Sequence, residues 1–150
     1  MVIFLAGYGG HCPTRLLEIA DEQNALVFDI RLQPYFKQPG WNGTDLALLL
    51  GDRYVGLPQW GNKARITKGP MEIMDWEGGL KRFKLFCGDR RPSAAILLCQ
   101  CRSITECHRA MVGRKLAIEE RYAVYDLHHW TKPDQAQLIP LNRELTEVGR

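Results

Sequence analysis

Within the stretch ILLCQCRSITECHRAMV, Ile96 to Val112, three of the chain's five cysteines, Cys99, Cys101 and Cys107, fall inside nine residues, and His108 and Arg109 follow the last of them directly. A thiol, an imidazole and a guanidinium together supply a nucleophile, a proton acceptor and an anion clamp, the parts of covalent group transfer. The same sulfurs and imidazole are donors for a soft metal ion. Cys99 and Cys101 are two apart at a strand end, so both side chains face the same side of a sheet and one ligand can touch both. Ser103 followed three residues later by Glu106 matches a capping box and predicts that a helix begins at Ser103. Cys107 would then sit in its first turn, where the helix dipole, Arg102 and Arg109 draw a thiol pKa from ~8.5 toward neutrality. The competing reading packs Cys107 against the sheet as a small apolar residue.

The spacing C-x-C-x5-C lacks the second cysteine pair of the usual zinc pattern, so no bound metal is expected. Zinc or an iron–sulfur cluster on Cys99, Cys101, Cys107 and a histidine stands as an alternative. None of the three cysteines has an arginine six residues on, which removes the C-x5-R phosphatase and sulfurtransferase cradles. GYGG, from Gly7, lacks the third glycine and the lysine of phosphate-loop fingerprints. Gly9 and Gly10 still permit a tight turn and close approach of a ligand to the backbone.

Other candidates lie where predicted strands end. His11, between that turn and a helix start, is a candidate general acid or base. Asp29 closes an apolar strand and is costly to bury unpaired, and Arg31, two residues on, is its natural partner. The pair reads as a structural ion pair or as an acid/base carboxylate held by the arginine. Tyr8 and Trp41 are candidates to stack on a base, with Cys101, His108, Arg109 and His128 as further substrate contacts.

These residues need a scaffold. Apolar runs at Met1 to Ala6, Ala25 to Arg31, Arg53 to Pro58, Ser93 to Cys101 and Tyr122 to Trp130 predict five strands. Helical spacing follows the GYGGHCP loop, with Pro13 suited to a first turn, and recurs at Thr44 to Leu50, Met71 to Phe86 and Ile104 to Arg121. Gly78-Gly79 is expected to break the third of these. Strands alternating with helices, and apolar throughout, predict an α/β fold: an open, mostly parallel sheet of about five strands with helices on both faces, a Rossmann-like three-layer sandwich. Such sheets bind ligands outside the carboxyl ends of their strands, where most of the candidates fall. Residues 1–130 read as a single domain and 131–150 as a tail that packs on it or stays mobile, with helical spacing at Asn142 to Val148.

At 150 residues, 45% apolar and 25% charged, the composition is that of a globular domain and not of a disordered chain. The net charge of +3 compels no nucleic-acid binding by itself. The basic, glycine-punctuated segment from Gln59 to Pro70 instead suits a local anionic ligand. The first residues are apolar but lack the basic region and cleavage site of a signal peptide, and no run reaches the ~18 residues of a membrane helix. The expected setting is therefore the cytosol, off the membrane, with reduced cysteines.

Taken in order, Gly7-Tyr8-Gly9-Gly10-His11, Asp29-Ile30-Arg31 with Pro34, Pro39-Gly40-Trp41, Arg53 to Pro58, Leu97-Leu98-Cys99, Cys107-His108-Arg109 and His128 resemble the domain of unknown function 488 (YeaO-like) family over about Ile3 to Trp130. The resemblance implies the three-layer α/β fold and a strand-end pocket, and transfers no single reaction. Two positions depart from the family pattern: Cys12 stands where the family has Ser, and Cys101 where it has Glu. The expected activity is an enzyme acting on a nucleotide, nucleic acid or similar anionic substrate by hydrolysis or group transfer, with Cys107, Cys99, His11 and Asp29 supplying the chemistry. A non-catalytic nucleotide- or nucleic-acid-binding module using the same pocket is the alternative, and a Cys/His metal-binding protein the second.

Overall fold

A computed structural model describes residues 1–34, 38–101, 107–127, 130 and 137–138 of the chain. Its centre is a sheet of five parallel strands, β1 (Val2–Gly7), β2 (Ala25–Asp29), β3 (Tyr54–Gly56), β4 (Ala94–Cys99) and β5 (Ala123–Asp126), with a two-residue β6 (Gln137–Leu138) antiparallel to β5. The spatial order is β3-β2-β4-β1-β5-β6. The strands are apolar throughout because helices cover both faces. Phe4, Ala6, Val27, Ile96 and Leu98 meet Leu16 and Ile19 of α1 (Pro13–Gln23) and Leu46 of α2 (Gly43–Leu50). On the other face Leu5, Phe28, Leu97 and Cys99 meet residues of two further helices. The open α/β sandwich expected from the sequence is the fold observed.

The short α3 (Ala64–Thr67) lies in the basic segment, followed by α4 (Trp76–Arg90) and α5 (Arg109–Ile118). Helix α4 starts later than its spacing predicts, capped by Asp75, whose carboxylate accepts from Gly78 N. It runs unbroken through Gly78-Gly79. A side chain at Gly79 would collide with Trp60, whose ring stacks on Trp76 at 5.0 Å and donates to the Trp76 carbonyl at 3.2 Å. Close packing on the missing side chain therefore outweighs the glycines' poor helix propensity. Phe83 and Leu80 face the sheet, whereas Leu85 is 70% exposed.

The strand order sets where a ligand fits. β1 and β4 are neighbours, yet the chain leaves β1 for α1 on one face and leaves β4 for α5 on the other. Loops that part in this way open a crevice at the carboxyl ends of the two strands. Gly7 is paired with Cys99 at that edge. No helix among the described residues is long and apolar enough to cross a membrane.

Phe83 is fully buried between Phe28, Trp60 and Tyr122. Phe83→Ala is expected to lower the unfolding free energy by ~3–5 kcal/mol, as for other large-to-small core changes. Urea denaturation of the two proteins measures it, and a loss below about 1 kcal/mol would show that α4 does not anchor this face.

Candidate functional site

The thiols predicted from spacing do converge. Cys99 ends β4 with its side chain toward the α5 face, Cys101 follows it, and Cys107 comes in from the segment that precedes α5. Their three Sγ atoms all lie within 4.8 Å of one another, with Cys99 and Cys107 buried and Cys101 partly buried. That is close enough for one metal ion to be shared. None of the three cysteines is in a disulfide.

Cys107 is not in the first turn of a helix. α5 begins at Arg109 with His108 at its N-cap position, and Cys107 lies before it, with no exposed surface. The predicted cap pair Ser103 and Glu106, together with Arg102, lies outside the described residues. The charge distribution is corrected accordingly. Three thiols in contact favour one shared negative charge, and it settles on Cys101, whose pKa is lowered by hydrogen bonds from Cys107 and Cys99 and by nearby Arg109. Donating to Cys101 pushes the Cys107 thiol up instead of down, with burial adding to the effect. The Cys99 thiol is likewise raised, to about 11, chiefly by its bond to Cys101.

Arg109 holds this loop in place. It is 1% exposed, its Nη1 donates to the Cys101 carbonyl at 2.7 Å, and its Nη2 lies 3.6 Å from Asp126 at the end of β5. A side chain at Gly7 would run into the same carbonyl and guanidinium, which explains the glycine there. Arg109, a substrate-contact candidate in the sequence, thus positions Cys101. Asp126 has no sequence signal other than a charge at a strand end.

His108 is 5% exposed and pairs with Cys99, Nδ1 to Sγ 3.7 Å. Its Nε2 is 3.0 Å from the Ile30 carbonyl. A carbonyl can only accept, so Nε2 carries a proton, and Nδ1, bare when the ring is neutral, is the nitrogen turned toward the thiol. A thiol, a base beside it and a third group orienting the base are the parts of an activated cysteine, and they engage at Cys99 only when its proton turns from Cys101 to Nδ1.

Asp29 and Arg31 form the predicted ion pair. Arg31 Nη2 and Nε donate to the two carboxylate oxygens at 2.6 and 2.8 Å, and Tyr54 Oη and Arg31 N supply two more donors. Burial and the adjacent carboxylate push the Tyr54 phenol well above its ordinary pKa. With four donors on two oxygens, Asp29 serves to hold Arg31. Arg31 in turn lines a cavity of about 350 Å³ together with Cys99, Gln100, His108, Arg65 and Lys68. The basic segment thus supplies two exposed cations to the rim, as its composition suggested. Gln100 Oε1 is buried without a hydrogen-bond partner among the described residues, an acceptor beside the thiols that no motif marked.

The aromatic candidates are elsewhere. Tyr8 and Trp41 are fully buried and stacked on each other at 4.5 Å, so neither offers a free face to a base. His11 stacks on Trp130 at 4.4 Å and does not line the cavity. Gly9 and Gly10 make the expected tight turn, Gly10 at φ +81° with His11 N bonded to the Tyr8 carbonyl at 2.8 Å. His128 lies outside the described residues.

Two outcomes follow. Asp29→Ala leaves Arg31 buried without its carboxylate, a situation that costs ~3–5 kcal/mol; chemical denaturation measures it, and a loss under about 1 kcal/mol would contradict the buried pairing. In a Cys12→Ser background, which removes an exposed thiol acidified by Thr14, brief iodoacetamide treatment should label Cys101 ahead of Cys99, Cys107 and Cys87. An ordinary thiol slows about tenfold per pH unit below ~8.5. Cys101 should keep its rate between pH 8 and 6, and a tenfold loss per unit by peptide mapping would refute the shared charge.

Comparison of the chain with protein-family models, with curated proteins and with solved structures gave no match, so the reading of function rests on the site's own geometry.

Proposed function

We propose that this protein is an enzyme that transfers or hydrolyses a group on a small anionic substrate, of nucleotide or phosphate-ester size, with Cys99 as nucleophile and His108 as its base. The observation that carries the reading is the Cys99–His108 pair opening into a cavity whose walls include Arg31, Arg65 and Lys68. Thiol, base and cations meet in one space.

In the first step the Cys99 proton, shared with Cys101 in the resting site, turns to His108 Nδ1 as the sulfur attacks the substrate's electrophilic centre. A bond from Sγ to the transferred group forms, the bond to the leaving group breaks, and the imidazolium returns its proton to the departing atom. Water or a second acceptor then takes the group from sulfur, with His108 again accepting the proton. Arg31, locked by Asp29, is a rigid anion contact, whereas Arg65 and Lys68 on the exposed rim attract the charge. Among the described residues no Phe, Tyr or Trp lines the cavity, and Gln33, Asn62 and Gln100 offer hydrogen bonds. Recognition by charge and amides replaces the base stacking anticipated from Tyr8 and Trp41. This chemistry fits the strand-end pocket that the family resemblance implies, and a cytosolic setting would keep the thiols reduced.

A panel of phosphate mono- and diesters, nucleotides included, tests the proposal. Turnover should vanish in Cys99→Ser and fall on the order of 100-fold in His108→Asn, the usual size of a general-base contribution, while Arg65→Ala/Lys68→Ala raises KM and spares kcat. Tight nucleotide binding by the native protein without turnover of any ester would instead establish the non-catalytic binding module.

A further inference from the structure

We infer that the same sulfur cluster is a binding site for a thiophilic divalent cation, zinc by its donor set, with Cys99, Cys101 and Cys107 as thiolate ligands and His108 Nδ1 as the fourth. The inference goes beyond the proposed activity and does not rest on it. It uses the positions of the sulfurs, not their reactivity.

Tetrahedral zinc with Zn–S ~2.3 Å and Zn–N ~2.0 Å separates its sulfurs by ~3.8 Å and a sulfur from a nitrogen by ~3.5 Å. Here all three Sγ atoms lie within 4.8 Å of one another, and His108 Nδ1 is 3.7 Å from Cys99 Sγ. Closure of the sulfurs on an ion therefore takes about 1 Å at the widest pair, within reach of side-chain adjustment, and His108 Nδ1, which lies outside the 4.8 Å group of the three sulfurs, turns toward the ion to complete the set. The ligands come from two directions: the end of β4 gives Cys99 and Cys101, and the residues before α5 give Cys107 and His108. A cation would pin these two segments together.

The surroundings suit a metal. The proton on Nε2, held by the Ile30 carbonyl, leaves Nδ1 as the ligating nitrogen, the outer contact that metal-binding histidines commonly have. The Arg109 amide donates to Cys107 Sγ at 3.5 Å, and amides of this kind offset thiolate charge. Three thiolates and one neutral imidazole around Zn²⁺ carry a net charge of −1, and buried Arg109 is the cation alongside. This donor set arises without the second cysteine pair whose absence argued against a metal in the sequence. The histidine adjoining Cys107 and the fold-driven approach of β4 replace it.

The test uses the full chain, reduced and stripped with a chelator, then titrated with zinc against a colorimetric chelator and with cobalt followed by absorption. One zinc per chain should bind, cobalt should give a thiolate charge-transfer band in the near ultraviolet, and zinc should protect Cys99, Cys101 and Cys107 from iodoacetamide while Cys12 reacts as before. Cys101→Ser, at the partly buried ligand, should weaken zinc on the order of 100-fold, one ligand's share of a four-ligand site, and His108→Asn on the order of 10-fold, with circular dichroism confirming that both variants fold. Zinc binding well below one per chain, stoichiometric iron in place of zinc, or unchanged affinity in Cys101→Ser would each overturn the inference. Ester turnover by the metal-free protein is scored separately, so loss of the zinc site leaves the proposed activity standing, and loss of turnover leaves the zinc site standing.

Discussion

The pairing of β1 with β4 is the constraint on which the rest of the site depends. Gly7 lies against Cys99, and the pairing continues past the strands as Tyr8 N bonds the Cys99 carbonyl and Gly9 N the Gln100 carbonyl. The two chains then part, one toward α1 and the other toward α5 on the opposite face, so the sheet-like pairing of the described backbone ends at Gln100. The Cys101 carbonyl fills the space that a side chain at Gly7 would occupy and accepts from Arg109. Sulfur positions follow from that local geometry.

Buried charge is handled in two ways around this edge. Asp29, Arg31 and Tyr54 form a saturated group under the cavity, and Arg109 bridges the Cys101 carbonyl and Asp126 under the thiol loop. Both arrangements meet the desolvation cost of a buried ion with close hydrogen bonds. Arg65 and Lys68, by contrast, are exposed at the rim, where long side chains follow a ligand at little energetic cost. A rigid wall and an adaptable rim are the form expected of a site that orients one charged group precisely and accepts variation around it.

The thiols add a second kind of specificity. Three sulfurs in mutual contact cannot all ionise without a cation between them, so a metal-free cluster holds a single charge and a metal-bound one holds three. The proposed nucleophile and the inferred metal ligand are thus alternative states of the same atoms.

Much of the fold was legible in the sequence. Uniformly apolar strands alternating with helical spacing have no stable arrangement except a parallel sheet covered on both faces, and the strand-end crevice follows from it. The approach of Cys99 to Cys101 was readable from the strand period, and the Asp29–Arg31 pair from the cost of burying a lone carboxylate. What required the tertiary structure was every distance set between elements far apart in sequence. The Ile30 carbonyl that orients His108, the Asp126 that meets Arg109, and the Trp60 ring that keeps α4 continuous over Gly79 are long-range contacts with no local pattern. The same holds for Tyr8 and Trp41, which look like ligand-binding aromatics in the sequence and stack on each other in the core. Local periodicity determines which face a residue presents, because it depends only on the chain's own geometry; which partner it meets there depends on how the layers pack, and that decided which cysteine carries the charge.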